Sequence, residues 1–338
     1  MAEATRTLKT DHDTPRILRG LATRPLDLSI VIVTWNSERW IDRCLRSIAA
    51  ACGELAYEVI VYDNASADAT LAAVGKTEND IEIIRGEAND GFAAGVNRVA
   101  TRASGRYFFL LNPDCELGPR ALEILVEFLD ANPVVAAAAP LLSDEAGDSQ
   151  REFQLRRLPT LATLVSEVFG IDKLLPGNRM TARYRYRELE LTHPQPVEQP
   201  AAAALLLRRE VFAEVGPLDE RFAPAWFEDV DYCRRLAAAG HTIFVVPAAR
   251  ARHFGGASLE HVPFAEFIAL WYRNMWLYAK KWLTPGQAEA LRWAIVFGML
   301  LRIPLALAGI ANLRLGRWSA ARAYAGVMRK AFRRWSGA

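Results

Sequence analysis

Apolar runs recur along the first 140 residues of this chain, each closed by polar turn residues and followed by a stretch able to form a helix. No other feature limits the possible folds as strongly. The first run, LSIVIV at 28–33, is rich in β-branched residues and has no polar face, so it predicts a strand buried on both sides. Thr34, Trp35, Asn36 and Ser37 close it, with Ser37 as the expected N-cap of a helix over about 38–51. Further strands are predicted at 57–62, 81–84, 106–111 and 134–139. Helices are predicted from about Ala67, from Phe92 and over 119–130. Strands and helices alternating at this spacing predict an α/β fold around a mostly parallel sheet. Ligands of such sheets sit beyond the carboxyl ends of the strands. Polar pairs stand at three of those ends: Thr34 with Asn36, Asp63 with Asn64, and Asn112 with Asp114. One such pair is an ordinary turn. Three on one sheet edge point to a site.

The second half is less regular over 143–199, which holds Arg151, Arg156 and Arg157. A strand is expected at 201–207 and a helix at 208–215. Phe227-Glu228-Asp229-Val230-Asp231 opens another helix, its acids in the first turn where the helix dipole favours them, with Gly240 as its C′ residue. A strand at 243–246 precedes His253-Phe254-Gly255-Gly256, which reads as a loop. The stretch Gly91-Phe92-Ala93-Ala94-Gly95 invites a dinucleotide reading. However, no G-x-G-x-x-G follows the first strand and no P-loop GKS or GKT occurs, which argues against a Rossmann dehydrogenase.

Composition is globular, with 51% hydrophobic and 24% charged residues, so disorder is excluded as the general state. Cys44, Cys52, Cys115 and Cys233 form no C-x-x-C pair and read as reduced core residues of a cytoplasmic protein. Residues 1–26 are polar, lack an apolar signal-peptide core and read as a flexible arm.

Four blocks together resemble the inverting glycosyltransferases of family 2, which have the GT-A fold. They are 29–36 (SIVIVTWN), 62–69 (YDNASADA), 89–97 (NDGFAAGVN) with 112–116 (NPDCE), and 208–253 around FEDVDYCRRLAAAG. Their order and spacing match over about 28–258, and the NPD and FEDVD versions are most similar to rhamnosyltransferase-like members. The resemblance implies a nucleotide-binding sheet flanked by helices over 27–262, with a helical extension over 263–338. It implies a nucleoside-diphosphate sugar donor, dTDP-rhamnose or a UDP-sugar, and a saccharide or polyprenyl-linked acceptor. It places Asp63 on the base of the nucleotide with Asn64 beside it, and Thr34 and Asn36 in the same pocket. Asn89, Gly91 and Asn97 would close over ribose and diphosphate, and Asn112 would face the ribose. Asp114 and His253 would hold Mg2+ or Mn2+, a hard cation suited to oxygen ligands that neutralises the departing diphosphate. Asn112 stands where the family's motif has a first Asp, which removes one negative charge there. Asp229 matches the base that takes the acceptor's proton. Glu228 would contact the acceptor, and Asp231 would be structural or near the metal. Trp226 and Phe227 would offer an apolar face to a sugar or pack in the core. A non-catalytic, membrane-tethered relative is the alternative from another class.

Charge is unevenly distributed. Residues 290–338 hold nine Lys or Arg and no acid, whereas the first 289 residues carry a net −7. Residues 293–310 are apolar apart from Arg302 and are interrupted by Pro304, so a wedge of Trp293, Phe297, Leu300 and Leu301 is expected to lie in a membrane interface without crossing it. Tyr324, Val327, Met328, Ala331 and Trp335 share one helical face and Arg322, Arg329 and Arg333 another, the pattern of an interfacial helix. An anionic membrane surface on the cytoplasmic side is therefore the expected partner, with a true membrane span and a dimer or core-packing helix as the alternatives for this tail, and nucleic acid is not expected.

Overall fold

The computed structural model describes residues 25–76, 81–255, 262–310 and 316–335. Most of the expected N-terminal arm and Gly256 lie outside these residues. Eleven strands are described: β1 Leu28–Thr34, β2 Tyr57–Asp63, β3 Ile81–Arg85, β4 Tyr107–Leu111, β5 Cys115–Leu117, β6 Val135–Ser143, β7 Leu155–Arg156, β8 Gln195–Val197, β9 Gln199–Pro200, β10 Ala204–Arg208 and β11 Thr242–His253. Nine form one mixed sheet in the order β3-β2-β1-β4-β10-β6-β11-β5, with β8 also on β11, and β7 pairs with β9 in a separate ribbon. The β3-β2-β1-β4 half is entirely parallel. Antiparallel pairing enters with β10, which runs against both β4 and β6.

Helices cover both faces. Ile41–Cys52 and Ala121–Ala131 pack on one, and Phe92–Ala100, Arg209–Val215 and Glu228–Ala238 on the other. All seven residues of β1 are buried, as expected of a strand covered on both sides. The four cysteines are free and buried.

Three local expectations are corrected. The first helix begins at Ile41 and has no side-chain cap. The Ser37 hydroxyl turns back to the Trp35 carbonyl at 3.3 Å, and it is the Ser37 carbonyl that accepts from Trp40 and Ile41. A strand, β5, follows Asp114, so the 134–139 run belongs to the sixth strand. His253 is the last residue of β11, paired with Cys115, and is not in a loop.

Three further helices, Phe264–Trp282, Pro285–Leu307 and Arg317–Phe332, pack on one another and on Leu161–Phe169. Here the interfacial reading of the last helix is corrected: Tyr324, Val327, Ala331 and Trp335 are buried among these helices, with Trp335 stacked on Trp276. The predicted wedge is different. Trp293, Phe297, Leu300 and Leu301 are exposed, joined by Leu305, along one side of the Pro285–Leu307 helix. That helix is long and apolar enough to cross a membrane by length and composition, with a mean hydropathy of 1.7 over its most apolar 18 residues. Its other side, Leu291, Ile295 and Met299, is fully buried against protein.

Candidate active site

The carboxyl ends of β1 and β2 lie abreast, Thr34 opposite Asp63. Asp63 is buried and accepts from Thr34 Oγ1 at 2.9 Å, Ser66 Oγ at 2.6 Å and the Ser66 N–H at 3.0 Å. These bonds hold the carboxylate in one orientation. Asn36 has a φ of +49°, a conformation asparagine tolerates. Its side-chain oxygen accepts from the Ala67 N–H at 2.8 Å, bracing the loop after β2. Asn64 bridges two loops, accepting from the Asp90 N–H at 3.1 Å and donating to the Gly91 carbonyl at 3.3 Å. Asn89 accepts from the Gly91 N–H. Asn97 is spent elsewhere: its amide donates to Leu218 O and Glu220 and accepts from the Leu218 N–H, tying its helix to the segment before residue 222. Gly91 is required twice over. Its φ is +94°, and an added Cβ would collide with the Pro224 carbonyl. Gly95 instead permits close helix packing on Val33 and Tyr62.

The antiparallel register of β5 and β11 sets His253 against Cys115, which brings His253 Nε2 to 3.6 Å from Asp114 Oδ1. Both side chains are buried. Gln150, which nothing in the sequence singled out, faces His253 Nδ1 through Oε1 at 2.9 Å and donates through Nε2 to the His253 carbonyl at 2.7 Å. An amide oxygen can only accept, so Nδ1 carries the proton and Nε2 presents a lone pair toward Asp114. Burial also holds the imidazole pKa below its usual value, favouring the neutral ring. A neutral, oriented imidazole beside a carboxylate fits a divalent cation, and the outer amide is the support such ligands commonly have. Cys115 lies within the same cluster. Its thiol donates to Ala203 O at 3.3 Å and burial raises its pKa well above normal, so it stays protonated and is a poor match for a hard cation.

Asp229 sits in the first turn of the Glu228–Ala238 helix. It accepts from the Val230 N–H at 2.8 Å, and at 3.4 Å from both the Ala202 N–H and Gln199 Nε2. Ala203, next along the chain, accepts from the Asn112 N–H at 2.8 Å. One short segment therefore joins the Asn112–Asp114 turn to Asp229. Burial raises the Asp229 pKa, while these N–H donors and the nearby Arg156 partly oppose the shift. Glu228 is buried with Oε2 unpartnered, and desolvation together with Asp229 pushes its pKa well above normal. Asp231 faces away from the site. It accepts from Lys281, from Trp282 Nε1 at 2.8 Å and from Arg235, anchoring this helix to Phe264–Trp282.

The chain enters that helix through Trp226 and Phe227, both with φ near +75°. Left-handed backbone at two consecutive aromatic residues needs support from outside. Asn274 supplies it: its fully buried amide donates to the carbonyls of Phe222, Ala225 and Trp226 at 2.7 to 3.0 Å. Phe227 packs in the core against Trp271 and Tyr278, whereas Trp226 stays half-exposed.

The helix-covered sheet, parallel in its first half and mixed beyond it, is the GT-A fold of glycosyltransferases. Residues 29–216 match the family model described as Glycosyl transferase family 2, and the chain belongs to that family. It is 28% identical over 290 residues, 81% of this chain and 91% of the relative, to an N-acetylglucosaminyl-diphospho-decaprenol L-rhamnosyltransferase of Mycobacterium tuberculosis. It is 25% identical, over 67% of this chain and 82% of the relative, to the rhamnosyltransferase WbbL of Escherichia coli. Among solved structures it is similar to a mannosyltransferase of Pyrobaculum calidifontis in complex with GDP-Man and Mn2+, with a TM-score of 0.53, 16% identity and coverage of 93% and 88%. It also resembles GalNAc-T7 with UDP, GalNAc and Mn2+, with a TM-score of 0.53 and 15% identity. That alignment covers 92% of this chain and 56% of the longer GalNAc-T7.

Proposed function

We propose that this glycosyltransferase moves rhamnose from a nucleoside-diphosphate donor to a hydroxyl of a saccharide carried on a polyprenyl lipid, with inversion at the anomeric carbon. The observation that carries the reading is the match, along four fifths of this chain, to a rhamnosyltransferase named for a diphospho-decaprenol substrate.

In the proposed reaction the acceptor oxygen attacks the anomeric carbon as the bond to the diphosphate breaks. Asp229 takes the hydroxyl proton, and the nucleoside diphosphate leaves with the bonding electron pair. Asp63, fixed by Thr34 and Ser66, receives the base of the nucleotide. Asp114 and His253 would hold Mg2+ or Mn2+, which supplies positive charge to the departing diphosphate. Glu228, kept neutral by its surroundings, offers a proton donor to an acceptor hydroxyl. The exposed ridge of Trp293, Phe297, Leu300, Leu301 and Leu305, with the basic C-terminal helices, would rest on the anionic cytoplasmic face of the membrane where such an acceptor is carried.

The test is a hydrolysis and transfer screen over dTDP-rhamnose, UDP-sugars and GDP-mannose, with and without Mn2+, using a lipid-linked N-acetylglucosamine acceptor. Turnover of dTDP-rhamnose above the others is expected. Preference for another donor would overturn the rhamnose assignment, and transfer to free sugar alone would overturn the lipid-linked one.

A further inference from the structure

A half-buried arginine near Asp229 makes no hydrogen bond or ion pair among the described residues. Arg156 lies on β7 in register with Gln199 of β9, and the Gln199 amide reaches Asp229. The Arg156 Nε is buried with no acceptor, and no hydrogen bond or ion pair to a described residue engages the guanidinium. Nearby arginines differ. Arg157 reaches Glu198 at 3.0 Å and stacks on Tyr186, and Arg185 reaches Asp172 at 2.7 Å. Glu167 and Asp229 are close enough for the Arg156 charge to favour their ionised forms, yet both are bonded elsewhere, Glu167 to Trp271 Nε1 at 2.9 Å. Gln199 Oε1, on the amide that reaches Asp229, and Glu228 Oε2, on the residue before it, are also buried without hydrogen-bond partners among the described residues.

Burying an unpaired guanidinium donor is costly, and its planar fork suits the oxygens of a phosphate. The unsatisfied amide and carboxyl oxygens suit sugar hydroxyls. From this juxtaposition we infer that Arg156 receives a phosphate group of the acceptor while Gln199 and Glu228 hold the hydroxyls of the sugar attached to it. The accepting sugar is then one joined directly to phosphate. Donor phosphates have their own cation-binding residues, Asp114 and His253, on β5 and β11, whereas Arg156 stands on the separate β7–β9 ribbon. This inference rests on the transferase reading above and narrows its acceptor class.

The experiment compares two acceptor probes on the full chain by calorimetry, with dTDP and Mn2+ present. One is N-acetylglucosaminyl diphosphate bearing a short alkyl chain; the other is octyl N-acetylglucosaminide. Wild type should bind the diphosphate probe more tightly. Arg156→Met should weaken that probe about 10- to 100-fold, the range for a charged hydrogen bond, and leave the octyl glycoside unchanged. Arg156→Lys should fall between them, because it keeps the charge and loses the fork. Unchanged affinity for dTDP and an unchanged melting temperature would show that Arg156→Met is folded and that its donor pocket is intact. Equal loss for both probes would make Arg156 a support for Asp229, and loss of dTDP affinity would assign the phosphate to the donor. Either result overturns the inference, as does wild-type binding that ignores the diphosphate. None of these results would disturb the transferase reading, which stands or falls on donor turnover.

Discussion

Glu228 and Asp229 are consecutive carboxylates with opposite surroundings. Asp229 faces three N–H donors, whereas Glu228 has a buried oxygen facing none. Such an arrangement separates their proton affinities and leaves one acid neutral beside one base.

Asp229→Asn is therefore expected to reduce transfer by about 10²- to 10⁴-fold while nucleotide affinity stays intact. In wild type, kcat/KM should fall as pH drops through the raised Asp229 pKa, placing the acid limb above the value near 4 of a free aspartate. A steady-state pH profile checks both points. A limb at or below pH 4 would remove Asp229 from the role of base.

Glu228→Gln keeps the shape of a neutral carboxyl. The folded protein holds a proton on Glu228 above pH 4.5 that the unfolded chain releases, so this group lowers stability as pH rises. The glutamine variant lacks that penalty. Thermal melts should coincide near pH 4 and separate by pH 8, with the variant the more stable.

Gln150→Leu should weaken Mn2+ binding about 10- to 100-fold in the presence of nucleotide, because His253 loses the partner that fixes its tautomer. Titration followed by electron paramagnetic resonance reads this without any turnover. Unaltered Mn2+ affinity would mean that His253 is not a ligand.

Asn274→Ala should destabilise the fold by about 1–3 kcal/mol, since three loop carbonyls lose one common donor. Transfer should fall further than the loss of folded protein explains, because the same loop positions Asp229. Chemical denaturation paired with activity per folded molecule separates the two effects.

Replacing Phe297 and Leu301 with serine should reduce flotation with anionic vesicles and leave the melting temperature near wild type, because both side chains are exposed. Salt should strip the wild-type protein only in part, since apolar burial is not screened. Flotation unaffected by the double substitution would rule out the ridge as the contact.

The strands of the parallel half are readable because uninterrupted β-branched runs have few other uses. β5 is not, being three residues bounded by turn residues. Asp114 and His253 could be paired only by family resemblance, and Gln150 could not be found at all, since its contact with His253 spans 103 residues. The face bearing Tyr324 and Val327 shows the limit of periodicity. An apolar helical stripe must be covered, but its spacing is the same whether lipid or protein covers it. Here the cover is the two preceding helices.

Asn274, Lys281 and Trp282 fasten the loop and helix of Asp229 to Phe264–Trp282, and that helix is packed against the one bearing the exposed ridge. The separation between Asp229 and the ridge is thus set by packed side chains. An enzyme resting on its ridge would work like a gauge of fixed height. It would glycosylate sugars held at one elevation above the bilayer and pass over those standing farther out, so that chain growth could end by geometry after a single addition.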